Sequence, residues 1–164
     1  MQRSKSIAVV GVAIGGVALA VALGSEHFLG LIPCALCLVE RWPYRIVIGL
    51  GLLAVALPAR PARLLCWAIV LVLCVSAASG VLHVGVEQRW WPSPLPECTA
   101  PDLSGLSPAE RFARMPLRPA KSCEDADYPI PFIPISFAQG LLIYALASAG
   151  LMAILLARTP RRYR

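Results

Sequence analysis

The residues best suited to chemistry in this sequence are four cysteines. Cys34 and Cys37 form a C-x-x-C pair, and Cys98 and Cys123 lie far from it along the chain. The thiols of a C-x-x-C pair commonly have perturbed pKa values, and the thiolate is the form that attacks a disulfide. The two pairs therefore predict thiol–disulfide exchange, provided that the fold brings them to one place.

Two other uses of these cysteines are open. A C-x-x-C pair also occurs in zinc sites, and four thiolates would complete one. Cys98 and Cys123 lack the close spacing of ordinary zinc ribbons, however, and an oxidising compartment favours disulfides. Two inert disulfides that staple a loop would explain Cys98 and Cys123, but the small ring of a C-x-x-C disulfide constrains little chain. Reactive cysteines account for both pairs.

The residues around the C-x-x-C pair favour reactivity. Pro33 suits the first turn of a helix, which places Cys34 and Cys37 where unpaired N–H groups and the helix dipole favour a thiolate. Arg41 follows four residues after Cys37, on the same helical face, where a buried guanidinium needs an anion or an acceptor. It could hold a carbonyl oxygen and stabilise negative charge near the sulfur, or it could simply snorkel to an interface.

Several other residues indicate function less specifically than the cysteines do. Pro43 removes a helical hydrogen bond and could open space by a kink, although a tolerated membrane-helix proline has the same pattern. His83 and Glu87 share a helical face and could relay protons, but we interpret them as interfacial residues that water or each other satisfies. Cys66 and Cys74 lie ~12 Å apart along one helix, too far for a disulfide, and are predicted to be buried packing residues.

The elements that position these residues follow from composition. Hydrophobic residues make up 58% of the 164 residues and charged residues 15%, which indicates a membrane protein. Apolar runs at about 7–23, 36–57, 64–86 and 135–157 each approach the ~20 residues that cross a bilayer. We predict a single domain over residues 1–164, an all-α four-transmembrane-helix bundle. A cleaved signal peptide is the alternative for the first run, which exceeds the usual length of an h-region.

Basic residues near the ends of the runs orient the bundle. Those on one side are Arg3, Lys5, Arg60, Arg63 and the C-terminal arginines Arg158, Arg161, Arg162 and Arg164. The positive-inside rule assigns this side, with both termini and a turn over 58–63, to the cytoplasm. Trp42 and Tyr44 then join Trp90 and Trp91 at the outer interface. The net charge of +6 is explained by topology, and no motif supports nucleic acid as a partner.

The long outer loop over 88–134 holds ten of the fifteen prolines. It lacks an apolar periodicity that could build a core, so we predict that it is mostly irregular. One exception is a short helix over 108–115, because Ser107 and Glu110 make a capping box around Pro108.

The run Pro33-Cys-Ala-Leu-Cys-Leu-Val-Glu-Arg41 resembles the P-C-x-x-C-x-x-E-R signature of the disulfide bond formation protein B (DsbB) family. Trp91-Pro-Ser-Pro, followed by Cys98, is similar to the outer loop of that family. The resemblance extends over nearly the whole chain, since it includes the four spans, the loop pair and the entry into the last helix.

The resemblance implies a membrane thiol:quinone oxidoreductase of the bacterial inner membrane that oxidises a periplasmic thioredoxin-like protein of the DsbA type. The reduced partner would attack the Cys98–Cys123 disulfide, first at Cys98, and the released Cys123 would exchange with Cys34. Cys37 would then be the thiolate that attacks a ubiquinone or menaquinone held near Arg41, so that Cys34–Cys37 reforms. The four cysteines are the implied catalytic residues and quinone the implied cofactor, with no metal.

Two alternatives remain beside this one. Vitamin K epoxide reductase-like proteins also combine a helical bundle with a C-x-x-C and loop cysteines, but their C-x-x-C lies late in the chain and here it precedes the second span. A disulfide-stapled membrane scaffold without turnover is the alternative of another functional class. Quinone-dependent thiol oxidation separates the hypotheses.

Overall fold

The structure, a computed structural model, describes residues 2–98, 105, 107–110, 121–129 and 132–159. The helices are α1 (Gln2–Leu29), α2 (Ala35–Val39), α3 (Arg41–Ala56), α4 (Ala59–Glu87) and α5 (Phe137–Ala157), with a 3-10 turn at Pro96–Cys98. No β-strand occurs among the described residues. The all-helical prediction is therefore confirmed.

Four of these helices pack side by side in the order α1, α3, α4, α5. Their common core is apolar and includes Val47, Ala54, Ile69, Leu73 and Met152. Helices α1 and α3 approach closely because Gly51 offers no side chain toward α1, where an added Cβ would lie 2.6 Å from Val12. Large apolar side chains also cover the outer surface, among them Val9, Leu52, Leu64, Leu71, Ile143 and Leu146. An apolar exterior around an apolar core is the arrangement of a multi-pass membrane protein.

Among the described residues, three helices are long and apolar enough to cross a bilayer: Ser4–Leu29 within α1, Ala59–Glu87 and Phe137–Ala157. The predicted span over 36–57 is instead divided between α2 and the 16-residue α3, with a turn at Glu40. Pro43 has no N–H to donate to the carbonyl of Val39, which explains why the helical ladder is interrupted here. The break places Glu40 and Arg41 at the start of a new helix.

The connection between α3 and α4 is tighter than the predicted turn over 58–63. Pro58 is the N-cap of α4, and the helix already begins at Ala59. Pro61 therefore lies in the first turn, where a missing N–H costs nothing because that N–H has no helical acceptor. The prediction of a turn over 58–63 was wrong because a proline in the first turn does not prevent a helix from forming.

The outer end of α4 is closed by a Schellman motif. Arg89 adopts a left-handed conformation with φ 59°, and the N–H of Trp90 donates to the carbonyl of Gly85 at 2.8 Å. The chain then folds back, so that the indole of Trp91 lies on Gly85 and donates to the carbonyl of Leu82 at 3.1 Å. This turn fixes the direction in which the outer loop leaves α4.

A Gly85→Ala variant is expected to expel the Trp91 indole, because an added Cβ would lie 1.9 Å from its ring. We expect a loss of about 1–3 kcal/mol in the free energy of unfolding. Thermal unfolding in detergent and the fluorescence of a variant that keeps Trp91 as its sole tryptophan would measure both effects. The matched control is Gly150→Ala in α5, where an added Cβ meets nothing within 4 Å. Unchanged fluorescence in Gly85→Ala would contradict the described contact.

Capping boxes occur at two serines, Ser136 and Ser107. Ser136 caps α5, accepts from the N–H of Gln139 and donates from its hydroxyl to Glu87 Oε2 at 2.5 Å, which ties α5 to the end of α4. In the loop, Ser107 and Glu110 make the expected reciprocal hydrogen bonds, and these lower the pKa of the exposed Glu110 carboxyl. Residues 108–110 are helical, and the rest of the predicted helix over 108–115 lies outside the described residues.

Candidate redox site

The four cysteines form two disulfides that lie together. Cys34 is bonded to Cys37, with their Cα atoms 5.1 Å apart, and Cys98 to Cys123, with theirs 4.9 Å apart. Cys34, Cys98 and Cys123 belong to one buried apolar cluster with Leu36 and Val86, against which Cys37 packs. The three buried cysteines are each at most 5% exposed. The structure thus brings together the two pairs that the sequence separates.

The segment around Cys123 is held against α2 and the 3-10 turn by a few polar contacts. The N–H of Cys123 donates to the carbonyl of Cys98 at 3.3 Å, and the hydroxyl of Ser122 donates to the same oxygen at 3.2 Å. Lys121 forms an isolated parallel bridge with Cys34 and an ion pair with Asp127. This contact places the loop disulfide beside the first cysteine of the C-x-x-C pair.

Cys34 Sγ has polar contacts on two sides. Cys34 is the N-cap of α2, and its Sγ accepts the N–H of Cys37 at 3.1 Å. On its other side, His83 Nε2 lies 3.4 Å from Cys34 Sγ. The opposite ring nitrogen, Nδ1, is 3.0 Å from Glu40 Oε2. A buried chain of three ionisable groups therefore runs from α2 through α4 to the turn before α3.

The interpretation of His83 and Glu87 as interfacial residues satisfied by water or each other was wrong. His83 is only 4% exposed and bonds Glu40, which is 2% exposed, whereas Glu87 accepts from Ser136. The sequence could not reveal the pair, because 43 positions separate His83 from Glu40 and no local pattern fixes how α4 is rotated against α3.

Arg41 finds the anion that its burial requires. Its guanidinium forms an ion pair with Glu26 on α1, and the side chains are 10% and 26% exposed. The atom Nε of Arg41 has no partner among the described residues. Sequence analysis missed Glu26 because the first predicted span ended at residue 23, whereas α1 continues to Leu29. The sequence does offer one sign of this ion pair, because Glu26 is an acidic residue between the first predicted span and Pro33.

A cavity of about 380 Å³ opens between α1, α3 and α5. Its lining includes the polar residues Cys37, Glu40, Arg41, Tyr44, Ser136 and Tyr144, and the rest is largely aliphatic and aromatic, including Val17, Ala18, Leu141 and Phe137. Tyr44, predicted at the outer interface, is instead 2% exposed, and its hydroxyl lies near that of Ser76 without a close hydrogen bond. Because it also lies 6.1 Å from the Tyr144 ring, it faces inward. Such a cavity suits a flat apolar molecule that accepts hydrogen bonds.

The model of the family described as disulfide bond formation protein DsbB matches residues 4–156, which is most of the chain. The chain belongs to the DsbB family. A search of curated proteins and of solved structures finds no significant match. The family is one of disulfide bond formation, and both disulfides of the structure lie inside the matched region.

A metal is the remaining candidate ligand of this DsbB-family site. Donor atoms of Cys34, Cys37 and His83 lie within 4.8 Å of one another. The two sulfurs are bonded to each other, however, which leaves the imidazole as the one available donor of that group. Cys98 and Cys123 are likewise joined to each other and do not extend it.

The two cysteines outside the site differ from each other. Cys66 is buried in the helix core, as predicted, whereas Cys74 is exposed on the outer face of α4. The prediction of burial was wrong for Cys74, because an apolar run in a membrane helix does not distinguish a core face from a lipid face. Neither is in a disulfide.

Proposed function

We propose that this DsbB-family protein is a membrane thiol:quinone oxidoreductase that reoxidises a periplasmic, thioredoxin-like DsbA-type protein and passes the electrons to a membrane quinone. One observation carries the proposal. The loop disulfide shares a buried cluster with Cys34, while Cys37, the other half of the C-x-x-C pair, lines an apolar cavity beside Arg41. The site therefore has a thiol-facing end and a lipid-facing end.

Electrons enter at the loop disulfide in this proposal. A thiolate of the reduced partner attacks Cys98 Sγ, forms a mixed disulfide and releases Cys123 with the electron pair of the broken bond. Cys98 is 1% exposed, so the partner reaches it only after the segment around Cys123 moves. The hydrogen bonds that hold this segment contribute only about 1 kcal/mol each, so a docked partner can displace it.

The second exchange moves the electrons to the C-x-x-C pair. The Cys123 thiolate attacks Cys34 Sγ, so the Cys123–Cys34 bond forms, the Cys34–Cys37 bond breaks and Cys37 leaves as the thiolate. Their common cluster supports this choice of sulfur, as does the bridge between Lys121 and Cys34. Cys37 then carries its negative charge at the wall of the cavity that Arg41 also lines.

The cavity residues fit a quinone headgroup. A buried Nε on Arg41 has no partner among the described residues, and the buried hydroxyl of Tyr44 lies near that of Ser76 without a close hydrogen bond. Both groups can donate to a carbonyl oxygen. The cavity volume of about 380 Å³ lies within the range of small-molecule sites. Ubiquinone or menaquinone, when bound, supplies a two-electron acceptor. Arg41 and Tyr44 would hold it, and the aliphatic lining would exclude water.

The topology that serves this reaction has four spans. We place α2 and α3 together as the second span, because α3 packs between α1 and α4 along the bundle. Lys5, Arg60, Arg63 and Arg158 then lie on the cytoplasmic side of the bacterial inner membrane, and both disulfides face the periplasm. An oxidising compartment is where such disulfides persist.

Stoichiometric quinone reduction is the expected result of an anaerobic reaction between the purified protein, a reduced thioredoxin-like partner and a short-chain ubiquinone. We expect one quinone reduced per partner dithiol oxidised, over many turnovers, followed by quinone absorbance in a stopped-flow instrument and by thiol titration. The control contains partner and quinone without the protein. If neither ubiquinone nor menaquinone is consumed with any of several dithiol partners, the disulfide-stapled scaffold is the better explanation.

A further inference from the structure

The buried chain Cys34–His83–Glu40 is not needed to explain where the electrons go, and it can move a proton. We propose that His83 is the acid–base group that removes and returns the proton of Cys34, and that Glu40 is the positioning residue that orients its imidazole. This inference rests on the proposed function, because after the second exchange Cys34 must leave Cys123 and bond again to Cys37 before the next cycle.

The geometry assigns a separate task to each ring nitrogen. Glu40 Oε2 lies 3.0 Å from Nδ1 and, as a carboxylate, only accepts hydrogen bonds, so Nδ1 carries a proton. In the neutral ring Nε2 then has a free lone pair, and it lies 3.4 Å from Cys34 Sγ. A nucleophile, a base at hydrogen-bonding distance and a third group that orients the base are the parts of an activated-thiol site.

Burial makes this arrangement specific rather than accidental. His83 and Glu40 are 4% and 2% exposed, so water does not satisfy them. A buried carboxylate costs free energy unless a partner compensates it, and Nδ1–H is the partner of Oε2 in this structure. When the ring gains a second proton, the same carboxylate stabilises the imidazolium, so charge separation along the chain is favourable.

The proposed step transfers one proton and no electrons. In the reduced protein the Cys34 S–H bond breaks, the proton forms a bond with His83 Nε2, and the sulfur keeps the electron pair as a thiolate. When the C-x-x-C disulfide reforms, the thiolate would bond to Cys37 Sγ, and the two electrons released by this bond formation would pass to the quinone, the acceptor named in the proposed function. In the reverse direction, when Cys98 attacks Cys123 and expels Cys34, the imidazolium returns the proton to the departing sulfur.

The two sulfurs of the C-x-x-C pair therefore have different surroundings. Cys34 contacts the imidazole and the N–H of Cys37, whereas Cys37 lines the cavity with Arg41. His83 is absent from the cavity wall. An effect of His83 on thiol reactivity should therefore be larger at Cys34, 3.4 Å from its ring, than at Cys37.

The protonation state of His83 depends on the ionisable groups that surround its ring. Among the described residues Cys34 and Glu40 contact it directly, and Cys37 Sγ lies in the same group of atoms within 4.8 Å. The next acidic residue on α4, Glu87, is engaged by Ser136 of the α5 cap. On the α1 and α3 side, Arg41 is paired with Glu26. Proton exchange at His83 is thus governed by Cys34 and Glu40.

The test is the alkylation rate of Cys34 in the reduced, full-length protein without quinone or partner, from pH 5 to pH 9. Isotope-coded iodoacetamide with peptide mass spectrometry resolves each cysteine separately. We expect His83→Gln to slow alkylation of Cys34 about tenfold at pH 7 and to move the half-maximal rate to higher pH, since only the thiolate reacts. Glu40→Gln should shift the profile in the same direction by less, and in both variants the rate at Cys37 should change less than the rate at Cys34.

The matched control is His27→Gln, because His27 is the other histidine of the chain and is exposed at the end of α1. Circular dichroism establishes that each variant is folded. If Cys34 in folded His83→Gln and Glu40→Gln has the wild-type pH profile, the acid–base role is wrong, even where quinone turnover is intact. If wild-type protein fails to reduce quinone but His83 controls Cys34 reactivity, the proposed function fails and this inference stands.

Discussion

A Cys37→Ser variant is expected to oxidise one equivalent of partner dithiol and then stop. The Cys98–Cys123 disulfide is intact in this variant, so a first exchange with the partner can proceed. Cys34 has lost its disulfide partner, however, and no thiolate remains at the cavity wall that Cys37 lines. We expect quinone reduction to fall by roughly 10³-fold or more, because a serine hydroxyl is not ionised near neutral pH and cannot replace a thiolate.

Rapid-mixing measurements separate the two halves of this expectation. The amplitude of partner oxidation gives the single equivalent, and quinone absorbance gives the missing turnover. Cys74→Ser is the matched control, because Cys74 is a free cysteine on the outer face of α4, away from both disulfides. Sustained quinone reduction by Cys37→Ser would mean that another group donates the electrons, and the assignment of Cys37 would have to be abandoned.

Much of the architecture could be predicted because it depends on solvent and spacing. Long apolar runs specify helices in a bilayer, and their order in the chain puts alternate ends on the same side. From the sequence alone, that argument predicts that Cys34 and Cys37 lie near Cys98 and Cys123. The argument depends only on the number of spans between the two cysteine pairs. The cluster that Cys34, Cys98 and Cys123 form in the structure agrees with it.

The details that the sequence did not predict depend on helix rotation and on helix ends. Glu40 and His83 meet because α3 and α4 turn particular faces toward each other, and no periodicity in either helix encodes that angle. Tyr44 faces inward although tyrosines near a span end commonly mark an interface. Similarly, the acceptor of Arg41 was overlooked because apolar periodicity ended α1 too early.

The structure shows a contact of Arg41 that neither interpretation of the sequence included. The sequence offered a choice between a quinone contact and simple snorkelling, whereas the guanidinium is in fact tied to Glu26 while its Nε has no partner among the described residues. A purely structural arginine would act through that ion pair alone. An arginine that also holds a carbonyl oxygen would matter to quinone after the pair is removed.

An Arg41→Gln variant is therefore expected to raise the KM for quinone by about tenfold or more, the effect of losing a hydrogen bond from a charged donor. Glu26→Gln keeps the guanidinium and should raise the KM less. The double variant should recover thermal stability, since it leaves no unpaired buried charge, but should keep the high KM of Arg41→Gln. Arg45→Gln is the control, because Arg45 is exposed and lies over the Trp42 ring.

Steady-state kinetics with a short-chain ubiquinone, combined with thermal unfolding, measures this double-mutant cycle. Equal KM values for Glu26→Gln, Arg41→Gln and the double variant would mean that Arg41 acts only through its ion pair, and the quinone contact would be refuted. A high KM that follows Arg41 alone, with the rate of exchange between partner and Cys98 unchanged, would locate its role at the cavity. The unpartnered Nε predicts this second result, because a buried donor without an acceptor costs free energy that a bound carbonyl oxygen would offset.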